Sequence, residues 1–327
     1  MVLYAARYGT QVVNLRTFAT TDITISTPTI IPRPEHSISR AGISPNALKV
    51  LYRLKSAGFA AHLVGGGVRD LLLGREPKDF DVATDARPEE VHRLFRNCRL
   101  IGRRFRLAHV HFGPEIIEVA TFRAAGVAEE VDEFHLDNGR IVRDNVYGNI
   151  EEDAWRRDFT VNALYYNVAD FSVVDYTDGM TDLRQGVLRL IGDPERRYRE
   201  DPVRMLRAVR FASKLGFRVE PQTEAPLFEL GHLLADIPSS RLFEEVLKLF
   251  FGGVALQTFE QLRHYGLFGL LFPLTETSLS REEEHFPRTL VSHALANTDE
   301  RVADGLPVSP TFLFAALLWD PLITSQR

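Results

Sequence analysis

The chain has 327 residues, 45% of them hydrophobic and 25% charged, with a formal net charge of −5. This is the composition of a globular protein of two or three domains; it excludes a disordered chain and any global attraction to nucleic acid, although a local basic surface would be enough for RNA. A single cysteine, Cys98, excludes a disulfide framework and a cysteine-based zinc site, and no apolar run approaches the ~18 residues that span a membrane, so a cytoplasmic location is expected.

Residues 1–45 lack periodicity and end among Pro28, Pro32 and Pro34, so they read as a disordered or extended tail. The spacing then predicts a helix over Asn46–Ala57, with Leu48, Leu51, Tyr52 and Leu54 on one side and Gly58 as its stop. A strand over Ala61–Val64 runs into Gly65-Gly66-Gly67 and a short helix that ends at Gly74. Asp79-Phe80-Asp81-Val82 alternates and reads as a strand, followed by a helix over Pro88–Phe95 that leaves Cys98 near its end as a packing thiol. Two further strands fit Leu107–Phe112 and Ile116–Phe122, which makes the first half an α/β unit with a small mixed sheet. Residues 123–145 are polar and read as a loop. Beyond about residue 180 the pattern is helical, over Pro202–Leu215, Ser240–Phe250, Leu256–His264 and Pro310–Trp319.

Four groups of residues carry chemistry. On a strand, Asp79 and Asp81 project from one face, and the repulsion between two close carboxylates is relieved by divalent cations. Mg²⁺ suits such a site, because it takes one or two carboxylates and completes its shell with phosphate oxygens and water. A solvated Asp-x-Asp at a strand end is the bland alternative. The turn Gly65-Gly66-Gly67 offers backbone N–H groups to a phosphate, and Arg69 can add a charged contact, though the dinucleotide-binding glycine spacing is not met. Arg156-Arg157-Asp158 is either a capped helix start or a pair of triphosphate- or ribose-binding arginines with an aspartate that orients them or assists the metal site. Glu200-Asp201-Pro202-Val203-Arg204 opens a helix whose apolar stripe is Met205, Ala208, Val209, Ala212 and Leu215, with Arg207, Arg210 and Lys214 opposite. Those cations are a solvated face in the bland reading; alternatively Asp201 and Arg204, three residues apart, offer the acceptor and donors needed to read a nucleobase edge.

These groups stand in the order seen in class II CCA-adding enzymes and bacterial poly(A) polymerases, a family of the DNA polymerase beta-like nucleotidyltransferase superfamily that the chain resembles from about residue 30 onward. Leu100–Val110 is similar to the segment that separates the poly(A) polymerases from the CCA-adding branch. The resemblance implies an α+β protein: a catalytic head over residues 46–180, a helical neck over 181–255, and the start of a truncated helical body over 256–327. It implies that Asp79 and Asp81 hold two Mg²⁺ ions (Mn²⁺ in substitution), that Asp158 is a third catalytic aspartate, and that Glu118 is a further carboxylate on the neighbouring strand. Gly65, Gly66, Arg69, Arg156, Arg157, Asp201, Arg204 and Arg207 would touch the nucleotide, and Arg103, Arg104, Arg210 and Lys214 the RNA. The expected activity is transfer of AMP from ATP to an RNA 3′ end by a monomer; the alternatives are CCA addition to transfer RNA and a catalytically silent RNA-binding homologue. Family members that continue into a basic C-terminal region would hold RNA better, so processivity rather than chemistry would differ here.

Overall fold

The computed structural model describes residues 27–102, 106–124, 136–137, 140–141, 147–281 and 286–325. In chain order, the first half comprises β1 (Thr29–Ile31), α1 (Pro45–Ser56), β2 (Ala61–Val64), α2 (Gly66–Leu72), β3 (Asp81–Thr84), α3 (Pro88–Leu94), β4 (Cys98–Ile101), β5 (Leu107–Phe112) and β6 (Glu115–Thr121). A two-residue hairpin of β7 (Leu136–Asp137) and β8 (Arg140–Ile141) is followed by α4 (Ile150–Trp155), β9 (Leu164–Asn167), β10 (Val173–Asp175) and α5 (Gly179–Gln185).

Eight strands form one mixed sheet in the order β1-β10-β9-β2-β3-β6-β5-β4, in which β3 and β6 run parallel and the other neighbours antiparallel. One face is fully apolar: Leu63, Val82, Val110, Ile117, Val119 and Tyr166 pack with Val50, Leu51 and Leu54 of α1. The other face is covered over its β2–β9–β10 half, where Val64, Ala83, Tyr165 and Val174 meet Phe122 and Ala154 of α4. Strand residues alternate between faces, so the register that pairs Val64 with Asp81 and Asp81 with Glu118 brings both acids onto this second face, next to its covered half.

The sheet is larger than the sequence suggests. β4, β9 and β10 were not expected: Cys98 opens a strand rather than ending a helix, and β9 and β10 are three- or four-residue segments too short for alternation to be read. Part of the expected tail belongs to the head, since β1 pairs with β10 and Ile31, Ile38 and Ile43 enter the core. The helix α1 turns a slightly different face inward, burying Val50 while Tyr52 is exposed. Most of the expected loop over 123–145 lies outside the described residues.

The second half is helical: β11 (Val187–Leu188) and β12 (Arg218–Val219) form a small parallel pair around α6 (Pro194–Glu200) and α7 (Val203–Leu215). Then come α8 (Pro221–Glu229), α9 (Ser239–Phe250), α10 (Ala255–His264), α11 (Leu267–Leu271), α12 (Pro273–Leu279), α13 (Phe286–Ala303) and α14 (Pro310–Ser325). As expected, Met205, Ala208, Val209, Ala212 and Leu215 of α7 are buried. Among the described residues no helix is long and apolar enough to cross a membrane.

Candidate active site

The site is built on the turn between β2 and α2. Gly65 sits at φ +73°, a conformation that side chains disfavour, and a Cβ placed there would lie 3.6 Å from Arg157 Nη1 and 3.7 Å from Asp81 Oδ2. Gly67 packs under the carbonyl of Asp79, 3.2 Å from where its Cβ would be. Glycine at these two positions therefore lets the turn close against the acidic segment, with its backbone beside the carboxylate of Asp81.

The acidic pair differs from the sequence expectation in one respect: β3 begins at Asp81, so Asp79 stands on the lead-in to the strand and is exposed, with Phe80 buried between them. Asp81 is partly buried, and its pKa is raised to about 6 by burial first, then by Glu118 and Asp79, against the opposing effect of Arg157. Glu118 pairs with Asp81 across the parallel strands and with His109 of β5 on its other side, where His109 Nε2 lies 3.0 Å from Glu118 Oε1. The carboxylate expected on the neighbouring strand is thus the one brought beside Asp81.

Arg157 balances part of this charge and is itself tightly held. Its Nε donates to Tyr165 Oη at 2.9 Å and to Asp153 Oδ2 at 3.3 Å, and Nη2 donates to the same Asp153 oxygen at 3.0 Å. Tyr165 Oη also donates to Asp153 Oδ2 at 2.7 Å, and the guanidinium lies 5.2 Å from the Tyr165 ring centre. Nη1 has no partner among the described residues and is the edge that faces Gly65. Arg156, half-buried, ends α4, and its carbonyl and that of Arg157 accept from Arg197 Nη2 of α6.

Three expected nucleotide or catalytic residues are turned to other work. Arg69 is 2% exposed and donates to Asp70 Oδ1 and Asn162 Oδ1 while lying 5.3 Å from the centre of the Phe211 ring, so it braces α2 against α7; its Nη2 also stands 3.4 Å from where a Cβ of Gly66 would be, which leaves the guanidinium against the glycine turn. Asp158 is engaged on both oxygens: one accepts from the Phe159 N–H and Asn162 Nδ2, the other from Arg207 Nε and Nη2 at 2.8 and 2.5 Å. Burial disfavours its charge, but the Arg207 pair and these hydrogen bonds hold its carboxyl below the usual range. Arg207 is correspondingly committed to Asp158, joining head to α7, instead of standing free for a base.

Asp201 and Arg204 are likewise partnered, each with something other than its neighbour. Asp201 Oδ2 accepts from Arg241 Nη2 of α9 at 2.8 Å, while Arg204 Nη1 donates to the Arg197 carbonyl at 2.8 Å and lies 3.4 Å from Glu200 Oε2. Arg210 packs 4.8 Å from the Phe211 ring centre with a buried Nε that lacks a hydrogen bond, and burial followed by repulsion from Arg207 lowers its pKa. Burial likewise lowers that of Lys214. Both cations are partly buried. Arg103 and Arg104 lie outside the described residues.

Asp153, Tyr165 and Arg241 escaped the sequence reading. Asp153 stands four residues before Arg157, a helical ion-pair spacing that could have been noticed; Tyr165 and Arg241 reach their partners only through the fold. Among the described residues no group of three or more His, Cys, Asp or Glu could hold a metal. Two carboxylates with substrate oxygens and water suffice for Mg²⁺, and the pKa of Asp81, raised first by burial, is raised further by the negative charge of Glu118 and Asp79, which a divalent cation would offset. The residues present therefore fit a metal that is completed by its substrate.

The family model described as the poly A polymerase head domain matches residues 61–189, and the model described as a probable RNA and SrmB-binding site of polymerase A matches residues 216–279. The CCA-adding enzyme of Bacillus stearothermophilus, solved in complex with CTP, superposes with a TM-score of 0.58 at 27% identity over 85% of this chain and 83% of that one. The fold is thus that of a polymerase-beta-like nucleotidyltransferase head carrying helical domains. Poly(A) polymerase I of Salmonella typhi is 59% identical over 90% of this chain, and that of Haemophilus influenzae 53% identical over 90%. The chain spans 64% and 66% of the length of these two relatives. A CCA-adding enzyme of Lactobacillus helveticus is more distant, at 40% identity over 65% of the chain. The chain is thus similar to bacterial poly(A) polymerases and, at greater distance, to CCA-adding enzymes.

Proposed function

We propose that the chain is the catalytic part of a template-independent nucleotidyltransferase that adds AMP from ATP to RNA 3′ ends. The carrying observation is the excess of carboxylate beside the glycine turn, where Asp81 lies between Gly65 with Arg157 on one side and Glu118 on the other. Asp79 and Asp81 would hold the metal ions, Mg²⁺ or Mn²⁺, which supply charge neutralisation at the phosphates and a lowered pKa for the attacking hydroxyl. The Gly65–Gly66 backbone and Arg157 bind the triphosphate. Glu118 is the third acid of the site in this reading, and Asp158 tensions the head–neck joint.

The reaction needs no covalent enzyme intermediate. The RNA 3′-oxygen attacks the α-phosphorus of ATP, its proton passes to solvent water, the bond from that phosphorus to the oxygen bridging to the β-phosphate breaks, and pyrophosphate leaves with that oxygen. Asp201 and Arg204 read the base edge, each fixed from behind by Arg241 and the Arg197 carbonyl. Arg210 and Lys214 take phosphates of the RNA. Identity of 59% to a poly(A) polymerase I against 40% to a CCA-adding enzyme favours a fixed preference for ATP.

The test is incubation of an unstructured RNA with Mg²⁺ and each nucleotide separately. A ladder of many adenosines with ATP, and little extension with CTP, is expected. Addition limited to two cytidines and one adenosine, on transfer RNA alone, would replace this reading by CCA addition. A shift of RNA mobility with no extension would leave a silent binder.

A further inference from the structure

Across the covered half of the sheet runs one row of side chains on one face: Tyr165, Val64, Asp81 and Glu118, aligned by strand register. Arg157 lies beside this row. Its guanidinium rests on the Tyr165 ring at one end and reaches the Gly65–Asp81 gap at the other. The Tyr165 end is held by two buried groups, Tyr165 at 0% exposure and Asp153 at 6%. Asp153 is anchored in turn, because its Oδ1 accepts the backbone N–H of Arg123, just past the end of β6.

This arrangement leaves little freedom. A guanidinium is a planar fork, so fixing Nε and Nη2 against Asp153 and Tyr165 also fixes the direction of Nη1. That direction is toward the glycine turn. An arginine tethered only by its own stem would keep several rotamers and would as readily fold onto Asp81 itself, cancelling the carboxylate that the metal needs.

We infer that Asp153 and Tyr165 are positioning residues for the triphosphate: they hold Arg157 so that its single unpartnered edge meets the phosphates of the nucleotide at Gly65, without collapsing onto Asp81. The inference rests on the nucleotidyl-transfer reading above and assigns work to two residues outside the family of motifs that suggested it. Neither residue touches the substrate. Their effect is on phosphate recognition and not on the base, which is read some distance away on α7.

The experiment compares three ligands by calorimetry with Mg²⁺ and no RNA: ATP, inorganic triphosphate and AMP. It uses the wild type, Tyr165→Phe, Asp153→Asn and Arg157→Lys, each first checked for an unchanged denaturation midpoint. Tyr165→Phe keeps the ring and loses two hydrogen bonds, of which only the one from Arg157 Nε holds the guanidinium directly, so ATP and triphosphate should each bind about 5-fold more weakly. Asp153→Asn removes the charge that holds two nitrogens, and about 30-fold is expected for the same two ligands. AMP should change less than twofold in both. Arg157→Lys keeps the charge but not the fork, and should match Asp153→Asn, with Asp153→Asn adding nothing further in the double variant. Equal loss for all three ligands, or unchanged triphosphate binding in a folded Asp153→Asn, would mean that the network is structural only and overturn the inference. Wild-type protein that binds neither ATP nor triphosphate would remove the transfer reading and this inference together, a result distinct from either of those.

Discussion

Asp81 and Asp158 are both withdrawn from water beside an arginine, yet they reach opposite electrostatic states. Around Asp81, burial, Glu118 and Asp79 outweigh Arg157 and raise the pKa to about 6. Around Asp158, Arg207 and two further donors outweigh burial and keep the carboxylate ionised. The difference lies in stoichiometry. At the head–neck joint one acid meets one arginine with all its lone pairs engaged, whereas in the head Asp81 has two neighbouring acids, Asp79 and Glu118, against one arginine that is already committed to Asp153. A balanced pair holds two domains together; an unbalanced cluster waits for a cation.

Removing either member of the unbalanced cluster should have the largest effect. Asp79→Ala and Asp81→Ala are expected to lower nucleotide transfer by at least about a thousandfold, since each loses metal-borne transition-state stabilisation, while circular dichroism and RNA affinity stay near wild type. A double variant that extends RNA at even a tenth of the normal rate would dissolve the contrast between the two centres.

The joint should respond in stability. Asp158→Asn or Arg207→Met alone leaves a half-buried charge without its partner, and urea denaturation should show a loss of about 2–3 kcal/mol, less than for a fully buried pair because Arg207 is about one-third exposed. The two changes together should recover most of that loss and keep transfer above a tenth of wild type. A double variant that folds well but transfers no AMP would return Asp158 to the catalytic role that family resemblance assigns it.

The smallest expected effect concerns pH. A carboxyl whose native pKa is raised from 3.8 to about 6 binds more protons in the folded than in the unfolded state between those values. Stability is therefore lost as pH climbs from about 4 through 6, and above that range the metal-free protein carries the full cost. Asp81→Asn should raise metal-free stability by about 1–3 kcal/mol at pH 8 and progressively less toward pH 4. Adding Mg²⁺ at pH 8 should raise the melting temperature of the wild type and not of the variant. If Asp81→Asn lowers stability at pH 8, Asp81 is already compensated and no longer contrasts with Asp158.

The primary sequence by itself determined the pieces that depend on near neighbours: the glycine turn, the Asp79-x-Asp81 spacing, the apolar stripe of α7, and the motif order that marks the family. It also yielded Glu118 as an acid on an adjacent strand. What it did not determine is which side chain meets which. Arg69, Arg207, Asp201 and Asp158 were all read as facing a ligand, and the protein partners they also hold, Asn162, Asp158, Arg241 and Arg207 respectively, were not foreseen. The short strands β9 and β10 were missed, and with them the position of Tyr165 in the row that ends at Asp81 and Glu118. The physical reason is range. Helix stripes, turns and i, i+2 spacing are set within a few residues by backbone geometry, whereas an arginine with five donors and a long stem is satisfied by whichever carboxylate the register of the sheet and the docking of α7 and α9 bring within about 3 Å. Tertiary structure alone decided which charges were cancelled and which were left over for chemistry.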